Sequence, residues 1–268
     1  EHYLTELKDT TEQDASTGSE KIEAIADRIL TEYLSEVCPI PQEMIDRQIL
    51  HLFDRLRKLA VIMLKDILSE LKSSQFIPSK FEQIIGLPGE NGLPPIILEL
   101  KNGSKVTLSG MVDRVDLFEK DQEIYVRIVD YKSGVHEFSP EDVRSGLDIQ
   151  LVLYLLAVIG TDERHLKPAG AQYLYAQTVK GVTSVQRSGF LSNDPMVLDA
   201  ADQSAEGVYT KKLKKLEAEQ IDELFENMRC AVQNAAERII MGDAHKTPSE
   251  KACAFCPVRL HCDKAWHK

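Results

Sequence analysis

No apolar run in this 268-residue chain approaches the roughly 20 residues that a bilayer-spanning helix needs. The longest, residues 151–159, has the length of a buried helix instead. Net positive charge is missing too. Lys and Arg number 32 against 43 Asp and Glu, a formal charge of −11, which argues against a large basic nucleic-acid surface and leaves room only for a local one. A carboxylate site adds negative charge by itself, and a bound cation reverses the sign locally. No G-x-x-x-x-G-K-[S/T] phosphate loop occurs, so ATP hydrolysis is not encoded in this stretch. Internal repeats and low-complexity tracts are absent. No secretion signal is visible, and five cysteines are an odd count. Together these predict a reducing, cytoplasmic compartment without disulfides, and clustered cysteines there point to metal. No initiating Met opens the chain, and no cap precedes the helical tail of residues 1–8. The expectation is a fragment of something longer.

What is present begins with 43% hydrophobic residues, enough for one large domain or one domain with a small appendage. Apolar residues recur at helical spacing over 21–37 and 44–71, separated by the breaker Cys38-Pro39-Ile40-Pro41. Residues 76–85 read as a strand containing Glu82, and 86–95 as a Gly/Pro-rich loop. Two strands, 96–100 and 106–112, flank the tight turn Asn102-Gly103. Ser139, Pro140, Glu141 and Asp142 read as a helix entry, with Ser139 as the cap. The apolar helix of 148–160 follows, then strands 170–177 and 184–190 and a short helix over 193–202. A basic run, 211–215, reads as a solvated face, with contact to a nucleic-acid backbone as the alternative, and 217–241 as a long amphipathic helix that buries Cys230 in the core. The order of helices, strands, helix, strands and helix predicts an α/β fold, a mixed central sheet covered by helices.

The stretch GMVDRVDLFEKDQEIYVRIVDYKSG, 110–134, reads as two β-strands joined by a turn over 119–122. Antiparallel pairing lays Asp113 beside the end of the second strand. Period-2 geometry puts Asp130 and Lys132 on one face. Two carboxylates and an ammonium then converge at one sheet end. Hard oxygen ligands suit Mg²⁺ or Mn²⁺ better than zinc, and leave positions open for water and a phosphate oxygen. The lysine could orient or deprotonate that water, or neutralise transition-state charge. The bland alternative is a weak surface ion pair. Gln150 and Tyr154 lie four apart and share a helix face. Arg114 and Asp116 read as a pair that orders the hairpin. Near the end, Cys253-x-x-Cys256-x5-Cys262 is a soft ligand set, suited to an iron–sulfur cluster or to zinc, with His261 as a further donor in the zinc case.

Four motifs, FIPSKFE at 76–82, GMVDRVD at 110–116, IVDYKSG at 128–134 and QLVLY at 150–154, stand in the order of one family. The chain resembles the PD-(D/E)XK nuclease superfamily in its RecB-like branch. With the C-x2-C-x5-C ending, it resembles the C-terminal nuclease domain of the AddB-type subunits of helicase–nucleases. That resemblance implies a restriction-endonuclease-like core and a metal-dependent DNA exonuclease working on a single strand that emerges from an unwound duplex. It also implies an ATP-driven complex with an AddA-like partner subunit, processing double-strand breaks for recombinational repair. It makes Asp113, Asp130 and Tyr131 the metal set and Lys132 catalytic. Gln150 and Glu82 join the catalytic residues, and Gln150 and Tyr154 lie near the DNA backbone or the lysine. Cys253, Cys256 and Cys262 become ligands of a [4Fe–4S] cluster whose fourth cysteine lies upstream of this chain. Cys38 and His2 do not match the family's upstream cysteine and first-helix histidine. The implied organisation is a nuclease domain over 1–247, with N-terminal helices to 72, a core of 76–190 and C-terminal helices over 193–241. A cysteine-rich segment over 248–268 follows. Two rival readings stay open: a non-catalytic DNA-holding or subunit-docking module, and a zinc-stabilised domain of unrelated activity.

Overall fold

The structure, a computed structural model, describes residues 15–37, 46–87, 92–161, 165–204, 206–247, 249–254 and 256–262. Cys38 and His2 lie outside these. Two helices come first, α1 (Ala15–Val37) and α2 (Arg47–Lys72). Asp46 caps α2 by accepting from the Gln48 amide at 2.7 Å. The pair is held by Ile22 and Ala26, buried on α1, and by Lys65–Glu23 at 2.9 Å. Among the described residues no helix is long and apolar enough to cross a membrane.

Strands β1 (Ile77–Ile85), β2 (Gly92–Leu93), β3 (Ile96–Glu99), β4 (Lys105–Leu108), β5 (Gly110–Lys120) and β6 (Glu123–Lys132) follow. Next come α3 (Pro140–Ser145), α4 (Gln150–Thr161), β7 (Lys167–Val179), β8 (Val182–Ser192), α5 (Pro195–Ala201), β9 (Lys214–Leu216) and α6 (Ala218–Ile240). The short α7 (Glu250–Ala254) and a 3₁₀ turn at Arg259–His261 end the described chain. Seven strands form one mixed sheet in the order β2-β1-β5-β6-β7-β8-β9, and β3-β4 is a separate hairpin. The β5–β6 and β7–β8 pairs are antiparallel. The β6–β7 pair is parallel and is bridged by the crossover through α3 and α4. The α/β expectation therefore holds.

Several local readings need correction. The strand expected over 106–112 is two: β4 pairs with β3, and β5 leaves for the main sheet after Ser109. The β5–β6 turn is tighter than expected, with Asp121 and Gln122 alone at φ 53° and 68°. Both central residues being left-handed matches the twist of a two-residue hairpin. The expected loop of 86–95 contributes β2, and the basic run contributes the edge strand β9. Ser139 occupies the cap position of α3, but its hydroxyl donates to the Glu141 carboxylate at 2.7 Å rather than capping the helix. Cys230 is exposed, not core. Along α6 the buried residues are Ile221, Leu224, Phe225 and Met228, and Cys230 falls off that stripe.

The two faces of β6 do different things. Val126 and Ile128 point into the larger core, against Leu151, Leu155 and Val158 of α4. Val129 points the other way, toward Ile67 of α2 and Leu174 of β7. Between β6 and α2 lies an ionic network. Arg127 reaches Glu70 at 3.1 Å and Asp116 at 2.8 Å. Arg114 holds Asp116 at 2.9 Å, and Arg187 holds Glu70 at 2.8 Å and also contacts Asp66. Arg114, Asp116, Arg127 and Glu70 are essentially inaccessible to solvent. Burial opposes ionisation of Glu70. The facing guanidiniums of Arg127, Arg187 and Arg114 outweigh it and hold its carboxyl at about 2.

A lowered carboxyl gives stability that is complete above the ordinary glutamate range and is lost as pH falls toward 2. Glu70→Gln should therefore lower unfolding free energy at neutral pH by about 3–5 kcal/mol, the usual effect of stripping one partner from a buried ion pair. Urea titrations of the two proteins should converge as the pH is taken from about 4.5 toward 2. A pH-independent difference would mean that packing, not charge, is what Glu70 provides.

Candidate active site

Asp113, Asp130 and Lys132 meet at one end of the sheet, on the face covered by α4. The β5–β6 register pairs Arg114 with Val129, which brings Asp113 to the end of β6. One Asp113 oxygen, Oδ2, accepts the Tyr131 main-chain N–H at 2.8 Å. Lys132 Nζ stands 2.6 Å from Asp130 Oδ2 and donates to Gln150 Oε1 at 2.7 Å. The Gln150 amide donates in turn to Asp130 Oδ1 at 2.9 Å and to the Tyr154 hydroxyl at 3.0 Å. Gln150 thus clasps the Asp130–Lys132 pair from the first turn of α4, and Tyr154 one turn on fixes the amide's orientation. The close approach of Tyr154 requires Gly110 at the start of β5. A Cβ there would lie 2.9 Å from the ring's Cε1.

Glu82 lies on β1 across from Asp113. The pairs Phe81–Arg114 and Gln83–Val112 flank it. Its φ is +49°, a left-handed conformation that costs a non-glycine residue about 1–3 kcal/mol inside a strand. The side chain is exposed. Its charge still bears on Asp113, whose carboxyl is pushed above the ordinary range by burial first, then by the neighbouring charges of Asp130 and Glu82. The Tyr131 amide and Lys132 pull the other way and do not fully compensate.

Tyr131 takes part through its main chain. Its phenol lies on the opposite face and accepts from Arg114 Nη1 at 2.9 Å, so the side chain is not a ligand candidate. Tyr173 of β7 is a site residue that sequence reasoning missed. It pairs with Asp130 across the parallel β6–β7 ladder, and its ring lies under Lys132 with Nζ 5.1 Å from the centroid. Only the β6–β7 register reveals it, and nothing local in the sequence marks that register.

The donor set fits a hard divalent cation. Asp113 and Asp130 are carboxylates crowded into a partly desolvated corner. Asp130 Oδ2, buried, faces an ammonium but is aligned for no hydrogen bond, so accepting capacity remains. The cysteines are arranged differently. Cys253 sits on α7, Cys256 one turn on, and Cys262 just after the 3₁₀ turn. All three are half-buried thiols outside any disulfide. Lys251 of the same segment contacts Asp142 of α3. Among the described residues no three His, Cys, Asp or Glu side chains are gathered closely enough to hold a metal ion. The thiols match a soft centre in chemistry but not, by themselves, in number.

Comparison with known proteins agrees in one direction. The family model of the PD-(D/E)XK nuclease superfamily matches residues 3–263. An ATP-dependent helicase/deoxyribonuclease subunit of Thermoanaerobacter sp. (strain X514) is 33% identical over 233 residues, covering 73% of this chain and 20% of that protein. The like-named subunit of Alkaliphilus oremlandii is 29% identical over 255 residues, 81% and 22% respectively. That of Symbiobacterium thermophilum is 34% identical over 206 residues, 64% and 18%. The chain spans about a fifth of the length of these curated relatives.

A carboxyl raised by its surroundings has the opposite linkage from Glu70: its ionisation destabilises the fold at every pH above the raised value, and the penalty vanishes below the ordinary aspartate value of 3.8. Asp113→Asn should therefore raise the melting temperature at neutral pH in the presence of a chelator. That gain should disappear on acidification. A melting temperature lowered at neutral pH would show that the Asp113 charge stabilises the corner.

Proposed function

Because the chain belongs to the PD-(D/E)XK nuclease superfamily, we propose that it is the DNA-cutting domain of an ATP-dependent helicase–nuclease subunit. Its reaction is hydrolysis of phosphodiester bonds with a hard divalent cation. The observation that carries this reading is the cluster at the end of β5 and β6, where Asp130, Lys132 and Gln150 are in mutual contact and the Tyr131 amide holds Asp113 beside them. A scaffold has no physical need to crowd Asp113 and Asp130 together where burial already opposes ionisation of Asp113.

Asp113 and Asp130 would hold Mg²⁺ or Mn²⁺. Such an ion, when bound, makes water nucleophilic near neutral pH and offsets charge on the phosphate. The chain's own residues supply the rest. Lys132, held by Asp130 and Gln150, presents the remaining ammonium protons to a phosphate oxygen or to the attacking water, and neutralises charge that develops in the transition state. Gln150 and Tyr154 keep the ammonium from swinging away. The Tyr131 main-chain N–H fixes the Asp113 carboxylate so that no reorganisation is needed when substrate arrives.

The names of the relatives support a larger setting. In it the domain acts as an exonuclease on a single strand emerging from a helicase motor. The motor resides outside this stretch, with an AddA-like subunit as partner, and the work is double-strand-break processing in recombinational repair in the cytoplasm. The spacing of Cys253, Cys256 and Cys262 supports a [4Fe–4S] cluster in the full-length protein, completed by a cysteine upstream.

The test uses the full-length protein with its partner subunit on labelled single-stranded DNA. Mg²⁺-dependent cutting should fall by roughly 10²–10⁴-fold in Asp130→Ala and in Lys132→Ala, the scale of losing a positioned acid–base or charge-stabilising group. Equal cutting by both variants and wild type would return the domain to a DNA-holding or docking role. Metal analysis after anaerobic purification should find iron, with loss of the iron in Cys256→Ser. Zinc without iron would overturn the cluster assignment.

A further inference from the structure

A second group of polar side chains adjoins the cluster and shares Tyr173 with it. His136 lies in the segment between β6 and α3, four residues beyond Lys132. Its ring meets the Tyr173 ring edge-on, with centroids 4.3 Å apart, and its Nε2 stands 3.7 Å from Asp148 Oδ1. The Tyr173 hydroxyl donates to that same oxygen at 2.5 Å. Asp148 is buried, and its other oxygen has no hydrogen-bond partner. The His136 side chain is 42% exposed. Lys132 lies over the same Tyr173 ring. One aromatic ring thus carries the reactive ammonium and an imidazole within ion-pair range of a carboxylate.

We propose that His136, positioned by Asp148 and Tyr173, binds the strand phosphate next to the scissile one; this rests on the nuclease reading above. A buried carboxylate with an unpartnered oxygen is expensive unless it orients something. Here its Oδ1 stands 3.7 Å from Nε2 of the imidazole, ion-pair range rather than hydrogen-bond range, and the ring is seated edge-on against Tyr173. An imidazole N–H on this half-exposed ring can donate to an anionic oxygen, a charge-assisted bond because the phosphate carries the charge. The strand that brings one phosphate to Lys132 carries a second one past His136, because both groups rest on a single ring. His136 is a binding residue in this scheme, and Asp148 and Tyr173 are positioning residues.

The test uses the full-length protein with its partner and single-stranded oligonucleotides bearing one neutral methylphosphonate on either side of the scissile linkage. His136→Ala should raise KM roughly tenfold with kcat little changed, the worth of about one charge-assisted hydrogen bond. In wild type, the neutral linkage on one side should raise KM by a similar factor. The variant acting on that modified strand should show no further loss, because both changes remove the same contact. Asp148→Asn should move KM in the same direction. Should it unfold, the half-exposed His136→Ala still carries the measurement. An unchanged KM in His136→Ala, or losses that multiply on the modified strand, overturns the assignment. A wild-type enzyme that cuts no strand overturns the nuclease reading instead.

Discussion

The β5–β6 ribbon must be charged on both faces and stay in register. On one face it presents Asp113, Asp130 and Lys132 to α4. On the other it buries Arg114, Asp116 and Arg127 against Glu70 of α2. A slip of one residue exchanges the faces, because side chains alternate with a period of two. The arginines would then enter the site, and the site's acids would enter a pocket built for cations. Burying guanidiniums and carboxylates together gains little net stability over apolar packing, since desolvation offsets most of the Coulomb attraction. Breaking the set by misregistration leaves buried charges unpaired, which is severe. Tyr131 ties the two faces together: its amide holds Asp113 on one side and its phenol meets Arg114 on the other.

The site itself is arranged against local preference. Glu82 holds a left-handed backbone inside a strand, Asp113 sits where its charge is unwelcome, and Asp148 keeps a buried oxygen without a partner. Each is unfavourable alone. They persist because the sheet, the α4 helix and the ionic network beneath over-determine the backbone around them. The contrast between Glu70 and Asp113 makes the division explicit. Both are screened from water, yet Glu70 faces arginines and is held ionised, while Asp113 faces other acids and is not relieved. One carboxylate contributes to folding, and the ionisation of the other opposes it.

Much of the site was legible because its contacts are local or periodic. Asp130 and Lys132 share a face by strand alternation, and Gln150 and Tyr154 share one by helical spacing. Asn102-Gly103 announced its turn. The misses in the sheet and at its edges are long-range. Whether residues 106–112 were one strand or two depended on which partner each half found. The strand at Lys214–Leu216 exists because β8 offers an edge to it. Cys230 leaves the core because the buried stripe of α6 runs through Leu224 and Met228 and passes it by.

The amino-acid sequence by itself determined the alternation that puts two carboxylates and a lysine on one side of a hairpin, and the helical face that brings a glutamine and a tyrosine toward them. These follow from backbone periods of two and 3.6, which need no knowledge of the rest of the chain. Only the tertiary structure decided that Tyr173 would lie beneath Lys132, that His136 and Asp148 would share that ring, and that Glu70 would meet three arginines. Those contacts depend on the parallel β6–β7 register and on where α2 docks. Both are set by the burial of residues far apart in the chain, so no local pattern announces them.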